Sequence, residues 1–180
     1  MNESDNIFSP SVIELFTVLN EYCIFIEKAS DYTKDDVLEY LNRILPLMYL
    51  KGTLVPAVEV EHPEANERYV TEEQWQDVFN MLRAKFDNED IFYFIDPGSN
   101  TFDEEWDIYS LSEDLADIYQ DSKDFVLLYS KNLHAARENA VHEIAALFKS
   151  HWGHRISRSL SHIHYVLYRS YIGSDNSYLD

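Results

Sequence analysis

The residues best suited to chemistry in this sequence are three aspartates in one predicted helix. At about 100° per residue, Asp114, Asp117 and Asp121 fall within roughly 60° of one another, so they share one side of that helix. Ile118 and Phe125 lie beside this aspartate stripe, which puts carboxylates at the border of an apolar face. Carboxylates in such a position need arginine, histidine, backbone donors or a metal ion as partners.

A second segment, residues 151–162, contains groups that could pair with the aspartate stripe. If the segment is mostly helical, His151, His154, Arg158 and His162 share one side of it, and its apolar residues share another. Successive helices of a short chain pack against one another. We therefore expect the basic side of this segment to face the aspartate stripe.

The sequence leaves two interpretations of this pairing open. In the one we favour, Arg158 and the histidines satisfy the aspartates in a structural network that fixes how the helices align, and no cofactor is needed. In the alternative, Asp114, Asp117, Asp121 and His154 bind a divalent metal ion. Carboxylate oxygens suit magnesium or manganese, and mixed oxygen and imidazole ligands suit zinc, manganese or iron. The spacing matches neither the Glu-x-x-His pairs of di-metal bundles nor the His-Glu-x-x-His motif of zinc proteases.

Helices are the elements that must position these residues, because only four glycines and five prolines punctuate the chain. Helix start signals stand at Ser9-Pro10, at Thr33 with Asp36, at Thr71 with Gln74, and at Ser112. Proline at position 46 should interrupt and kink the second helix. The last two helices are predicted over about 133–151 and 154–171, divided near the glycine at position 153.

Two stretches lack a helical pattern. Residues 52–68 are polar and contain two prolines, which predicts a connecting loop. Residues 91–95 are apolar and β-prone and end at Asp96-Pro97-Gly98, but no partner strand is evident, so we expect an isolated extended segment and no sheet. The sequence therefore predicts an all-α fold, an irregular bundle of about six helices with one short extended segment. We expect one domain over residues 1–180, with a core at 9–172 and frayed termini.

Composition restricts the classes of partner. The 180 residues include 33 Asp and Glu against 14 Lys and Arg, a formal net charge of −19, which disfavours nucleic acid and anionic membrane surfaces as partners. A basic protein would suit this charge. The single cysteine, Cys23, lies among apolar residues and is expected in the core. We predict a cytoplasmic protein, because no leader pattern or membrane-span pattern is evident.

Several familiar catalytic motifs are missing from the sequence. No Gly-x-Ser-x-Gly elbow is present, so serine hydrolase chemistry is disfavoured. Neither Gly-x-Gly-x-x-Gly nor Gly-Lys-Ser/Thr occurs, so no phosphate-cradling loop of a known kind is predicted.

The same two segments resemble the signature of a bacterial family, domain of unknown function 5063. The resemblance rests on residues 110–121, on His151-Trp152-Gly153-His154 and on residues 160–164, with support from Tyr22-Cys23 and residues 45–50. This sequence departs from the family pattern at Glu113, Gln120 and Ser122, where the family tends to have aspartate, arginine and leucine. The resemblance covers nearly the whole chain and implies a cytosolic helical domain with no established activity.

We therefore expect a non-enzymatic protein-interaction or regulatory module whose partner is a basic protein. The alternative is a metal-dependent hydrolase acting on a phosphorylated or nucleotide substrate. In that case the three aspartates would hold the ion, and His151 or His154 would serve as a ligand or general base.

Overall fold

The computed structural model describes residues 3–95 and 107–172, and within them six α-helices and one small sheet are present. The helices are α1 Pro10–Glu27, α2 Lys34–Thr53, α3 Glu72–Phe86, α4 Leu111–Tyr129, α5 His134–Leu147 and α6 Gly153–Ile172. The strands are β1 Ile91–Phe94 and β2 Asp107–Ser110. Short 3-10 turns lie at Glu3–Phe8, Ala29–Asp31, Pro63–Ala65 and Asp87–Glu89, and a π-helical turn lies at Phe148–Trp152. The predicted helical bundle is confirmed, whereas the tail predicted to fray after position 173 lies outside the described residues.

The first three helices begin where the sequence predicts. α1 begins at Pro10, whose fixed φ suits the first helical position. In α2 the Thr33 hydroxyl accepts a hydrogen bond from the Asp36 N–H at 3.2 Å, and in α3 the Thr71 hydroxyl accepts one from the Gln74 N–H at the same distance. In both helices the third residue reaches back to the backbone N–H of the threonine, so both capping boxes are complete.

The predicted cap of α4 at Ser112 is wrong by two residues. α4 begins at Leu111, and Ser110 is the cap, with its hydroxyl oxygen 3.2 Å from the Glu113 N–H that donates to it. Ser112 is buried in the first turn, where its N–H donates to Asp90 Oδ1 at 2.8 Å. Ser110 also donates to Asp90 Oδ2, at 3.0 Å. The sequence offers two serines as caps, and the tertiary contact with Asp90 selects the first.

The prediction that residues 91–95 have no partner strand is also wrong. β1 pairs antiparallel with β2, from Ile91 opposite Ser110 to Phe94 opposite Asp107. β2 reads Asp-Ile-Tyr-Ser, and its polar ends leave too short an apolar run for a strand signal. The turn predicted at 96–98 lies outside the described residues. Because β2 leads directly into α4, this pairing fixes the start of the helix that carries the aspartate stripe.

α2 is longer than the sequence predicts. It continues through Pro46 without interruption and ends at Thr53, so the residue at position 52 is helical and not part of the loop. The connection to α3 then runs over residues 54–71 with the 3-10 turn Pro63–Ala65 inside it. The predicted loop is therefore present, but it starts two residues later.

No break separates α5 from α6, although the sequence predicts a division near Gly153. α5 ends at Leu147, the π-helical turn follows, and α6 begins at Gly153. A Cβ atom on Gly153 would lie 2.3 Å from the carbonyl oxygen of Phe148, far inside contact distance. The glycine is therefore needed for close backbone approach in a widened turn, and it does not end the helix.

α4 is the central element, since it packs against α1, α3, α5 and α6. The buried apolar residues form one cluster around it. Across the α1–α4 contact the Tyr22 hydroxyl donates to the Leu115 carbonyl at 2.9 Å. Between the π-helical turn and α5, the Trp152 indole donates to the Ile144 carbonyl at 3.1 Å. Cys23 is buried, as predicted, and burial raises the pKa of its thiol. Among the described helices, none combines the length and apolar character that a membrane-spanning segment requires.

Candidate functional site

The aspartate stripe lies along α4 where that helix meets α3, α6 and the π-helical turn. Asp114 and Asp121 are buried, with 2% and 4% of their surface exposed, and Asp117 between them is half-buried. Asp124, three residues further on, is also buried and extends the stripe. Carboxylates buried to this extent need strong donors, and the neighbouring elements supply them.

Asp114 is held by Arg158 of α6. The guanidinium makes a bidentate contact, in which Nε donates to Oδ2 at 2.7 Å and Nη2 donates to Oδ1. Ser159 adds a hydroxyl donor at 3.3 Å from Oδ2. The guanidinium also lies over the Tyr109 ring, 4.0 Å from its centroid. A paired, parallel contact of this kind fixes geometry as well as charge, so Arg158 locks α6 onto the first turns of α4.

Asp117 joins three elements. Its Oδ1 accepts from the Trp75 indole of α3 at 2.9 Å, and its Oδ2 accepts from Arg155 Nε of α6 at the same distance. Arg155 Nη1 in turn donates to the carbonyl of His151 at 3.0 Å. Both carboxylate oxygens of Asp117 therefore have donors from the protein itself.

Asp121 pairs with His151 of the π-helical turn. The distance from His151 Nδ1 to Asp121 Oδ2 is 2.5 Å, and because a carboxylate accepts, the imidazole carries a proton on Nδ1. His151 Nε2 lies 3.8 Å from Asp117 Oδ2, so the ring stands between two carboxylates of the stripe. Arg68 Nη1, 3.7 Å from Asp121 Oδ1, supplies a positive charge on the other side of this carboxylate.

Asp124 accepts hydrogen bonds from the end of the connection between α2 and α3. Its Oδ1 accepts from the backbone N–H groups of Tyr69 and Val70 at 2.7 and 2.9 Å, and its Oδ2 accepts from Arg68 Nη1 at 3.2 Å. Arg68 Nη2 also reaches Glu143 Oε1 at 2.5 Å. Burial lowers the pKa of Arg68, but the surrounding carboxylates outweigh that effect and hold the pKa above its ordinary value. The end of the connection is thus fixed to α4.

Two residues of the predicted basic side lie away from the aspartate stripe. His154 is exposed, and Arg155 Nη1 lies 3.2 Å from its Nε2. His162 lies further along α6, toward its C-terminal end. Its Nε2 lies 2.7 Å from the Glu89 carbonyl oxygen, and its ring stacks on Phe92 with 4.5 Å between the centroids. Of the seven residues that the sequence singles out, five meet in the network: Asp114, Asp117, Asp121, His151 and Arg158.

Sequence reasoning missed four members of this network. Asp124 follows Asp121 by three residues, and Arg155 follows His151 by four. Each therefore continues a helical spacing that is visible in the sequence. Trp75 and Arg68 had no such signal, because their positions depend on how α3 and the preceding connection pack on α4. The local pattern could therefore have found the first two but not the second two.

The arrangement leaves the stripe carboxylates engaged by cations and hydrogen-bond donors of the chain. Within residues 3–95 and 107–172, no group of three or more histidine, cysteine, aspartate or glutamate side chains is arranged to hold a metal ion. A cation entering the stripe would first have to displace Arg158 from Asp114 and Arg155 from Asp117. The network can therefore align the helices and stabilise the charges of the buried aspartates.

Comparison with known proteins shows which family and which solved structure this chain is similar to. A family model described as a domain of unknown function, DUF5063, matches residues 6–169. The crystal structure of protein BF1032 from Bacteroides fragilis is similar over 89% of this chain and 94% of that chain, with 30% identity and a TM-score of 0.79. None of the curated proteins matches the chain.

Proposed function

The chain belongs to the DUF5063 family, as the resemblance in its sequence predicts, and we propose that it is a non-enzymatic protein-interaction or regulatory module for a basic protein partner. The observation that carries this proposal is the engagement of the aspartate stripe by the chain's own donors. Such a network stabilises one arrangement of helices. A rigid helical scaffold with an acidic exterior is suited to binding.

The distribution of charge supports a basic partner. Arg68, Arg155 and Arg158, three of the 14 basic residues, are used to neutralise aspartates at the edge of the core. Carboxylates on outward faces then dominate the surface. Glu73 and Asp77 of α3, for example, are both exposed one helical turn apart. Like charges at that spacing disfavour the isolated helix, and a basic partner would relieve the repulsion.

Affinity capture followed by salt titration tests this proposal. We expect a captured protein with a basic patch, whose dissociation constant rises steeply between low salt and about 0.5 M salt, where the screening length is only a few ångströms. Glu73→Lys with Asp77→Lys should weaken the complex. Only acidic partners, or a dissociation constant that does not change with salt, would contradict the proposal.

A second variant tests whether the Asp114–Arg158 pair serves as a structural scaffold or takes part in a reaction. Asp114→Leu with Arg158→Met replaces the buried ion pair by apolar side chains and leaves the net charge unchanged. Buried ion pairs can often be exchanged in this way with little loss of stability. For a scaffold, the folded variant should bind the basic partner as the wild type does. Loss of binding in a variant that keeps its helical signal would show that the pair itself takes part.

The alternative, a metal-dependent hydrolase on a phosphorylated or nucleotide substrate, makes a different prediction. It requires that a divalent ion replace the contacts of Asp114, Asp117 and Asp121. Elemental analysis of the purified protein, and thermal shift with manganese, magnesium and zinc, test it directly. A stoichiometric amount of bound metal would favour the hydrolase over the interaction module. So would a rise in melting temperature on adding one of these metals, if that rise is lost in Asp117→Asn.

A further inference from the structure

One connection between helices is attached to the rest of the fold mainly by side chains. Residues 56–70, between α2 and α3, run along α5 and α4 and form what we call the strap. Val58 is the only buried residue of the strap, with 8% of its surface exposed. Within the described chain, no backbone–backbone hydrogen bond joins the strap to another element. Neither apolar burial nor shared secondary structure therefore holds it firmly.

The first half of the strap is held at its carbonyl groups by α5. Asn139 Nδ2 donates to the His62 carbonyl at 2.8 Å. His142 Nδ1 lies 2.9 Å from the Val58 carbonyl oxygen, and because a carbonyl accepts, the imidazole carries a proton on Nδ1. Water can replace each of these contacts once the strap leaves α5, so the net contribution of each to stability is small.

The second half of the strap is held by Asp124 of α4. The Asp124 Oδ1 atom accepts from the N–H groups of Tyr69 and Val70, and its Oδ2 atom accepts from Arg68. Arg68 also donates to Glu143 of α5. One buried carboxylate thus collects donors from three consecutive residues, and hydrogen bonds to a charged acceptor are the stronger kind. Asp124 is therefore the main attachment of this half.

Two further contacts of the strap lie at exposed positions. Asn6 Nδ2 donates to the Ala57 carbonyl at 3.2 Å, and Lys131 Nζ donates to Glu67 Oε2 at 2.6 Å. Exposed contacts of this kind add little to stability, because both groups are well solvated when apart.

Packing beneath the strap is incomplete. A cavity of about 10 Å³, room for about one water molecule, lies beside Glu67 and Arg68. The apolar part of its lining comes from α4 and α5 and consists of Phe125, Leu128, Ala140, Ile144 and Leu147. Because the strap covers these side chains without filling the space above them, its departure breaks few dispersion contacts.

We propose that the strap opens as one unit while the six helices stay folded, and that Asp124 is its latch. On opening, every residue of the strap regains backbone freedom, and only Val58 leaves a buried position. Opening also withdraws Arg68 from Asp121, Asp124 and Glu143. Carboxylates that the closed chain neutralises for itself then become available to cations from outside. The strap thus controls how much negative charge this side of α4 and α5 presents.

Hydrogen exchange followed by NMR tests the proposal on the protein alone, so the result does not depend on a basic partner. The amides of Tyr69 and Val70 are the reporters, because their hydrogen bonds to Asp124 must break before they exchange. We expect them to exchange at least about a hundredfold faster than the Leu128 amide inside α4, and to be insensitive to urea below the unfolding transition. Exchange at the Leu128 rate with the same urea dependence would overturn the proposal. Exchange as fast as in an unfolded chain would also overturn it, because the strap would then not be closed.

Asp124→Asn tests the latch. The new side chain keeps the shape of aspartate but loses the charge that Arg68 and the two reporter amides contact, so exchange of those amides should become about tenfold faster. Asp117→Asn makes the same change on the same helix, at a carboxylate that contacts α3 and α6 and not the strap, and should alter their exchange by less than about twofold. Equal acceleration in the two variants would show that Asp124 is not the latch.

His142→Ala tests whether the strap opens as one unit. It removes the donor to Val58, in the half of the strap away from the reporters, and His142 is exposed, so the helices should stay folded. A single opening unit requires about fivefold faster exchange at Tyr69 and Val70, the effect of one lost hydrogen bond. The Leu128 amide reports any general loss of stability in each variant. Unchanged exchange at the two reporters would show that the halves open separately, which contradicts the proposal.

Discussion

At the scale of single residues, Asp114 and Arg158 depend on one another. Arg158 is only 8% exposed, and both of its contacts to the carboxylate are short. A buried ion pair adds little stability compared with apolar side chains of similar size, but removing one partner leaves an uncompensated charge in the core. Substitution of one of the two residues is therefore expected to lower the stability of the protein much more than substitution of both together.

Asp114→Ala should lower the free energy of unfolding by about 3–5 kcal/mol, because Arg158 stays buried without its counter-ion. Urea denaturation followed by circular dichroism measures the change. Glu113→Ala, next to it on the exposed side of the same turn, is the matched control and should stay within about 0.5 kcal/mol of wild type. A loss no larger than that of the control would show that Arg158 finds another partner or is hydrated.

At the scale of elements, the π-helical turn Phe148–Trp152 decides what α5 and α6 present to α4. The turn brings His151 onto Asp121 and buries Trp152 beside it. Gly153 allows this path, because any Cβ there would collide with the Phe148 carbonyl oxygen. The segment His151-Trp152-Gly153 therefore acts as a single unit in which each residue type has a separate physical role.

Gly153→Ala tests that role through the sign of its effect. At an unhindered helical position the change would stabilise by about 1 kcal/mol, but here the added methyl group must push the turn apart, which we expect to destabilise by about 1–3 kcal/mol. Thermal and urea denaturation give the sign. Ser150→Ala, on the exposed side of the same turn, should have little effect. Stabilisation by Gly153→Ala would mean that the turn can relax to regular α-helix without loss.

At the scale of the whole molecule, groups that must stay neutral are collected around α1. Burial raises the pKa of Cys23 and of Tyr22, and burial together with Glu27 raises that of Tyr119. Burial also raises the pKa of Tyr40 to about 12. Because the folded chain holds these groups neutral beyond the pH at which the unfolded chain ionises them, stability is full below the unfolded pKa and falls above it.

The sign predicts loss of stability in alkali. Thermal unfolding should be unchanged from neutral pH to about pH 8, and the midpoint should then fall as the unfolded thiol and phenols ionise, from about pH 8.5 upward through the folded value near 12. Tyr40→Phe should reduce this fall, since the ring keeps its stacking on Phe25 and loses only the phenol. Tyr32→Phe, on the exposed partner of the same Phe25 ring, is the control. A fall equally steep in Tyr40→Phe and wild type would contradict the prediction.

The sequence by itself determined the helical class, the first three helix starts and the stripe of aspartates on α4, because all of these depend on local spacing and on capping chemistry between residues three or four apart. The same local signals placed Arg158 and His151 on the helical segment that meets the stripe. The family resemblance added membership, which the match over residues 6–169 bears out.

Tertiary structure alone decided the rest. β2 is too short to be recognised until β1 pairs with it, and Asp90 selects between two possible caps of α4. Trp75 and Arg68 reach the aspartates from 42 and 53 residues away in sequence, counted to Asp117 and Asp121. The path between α5 and α6 is continuous because Gly153 permits the close backbone approach that the π-helical turn requires. Such choices follow from contacts between elements, which no local pattern of residues specifies.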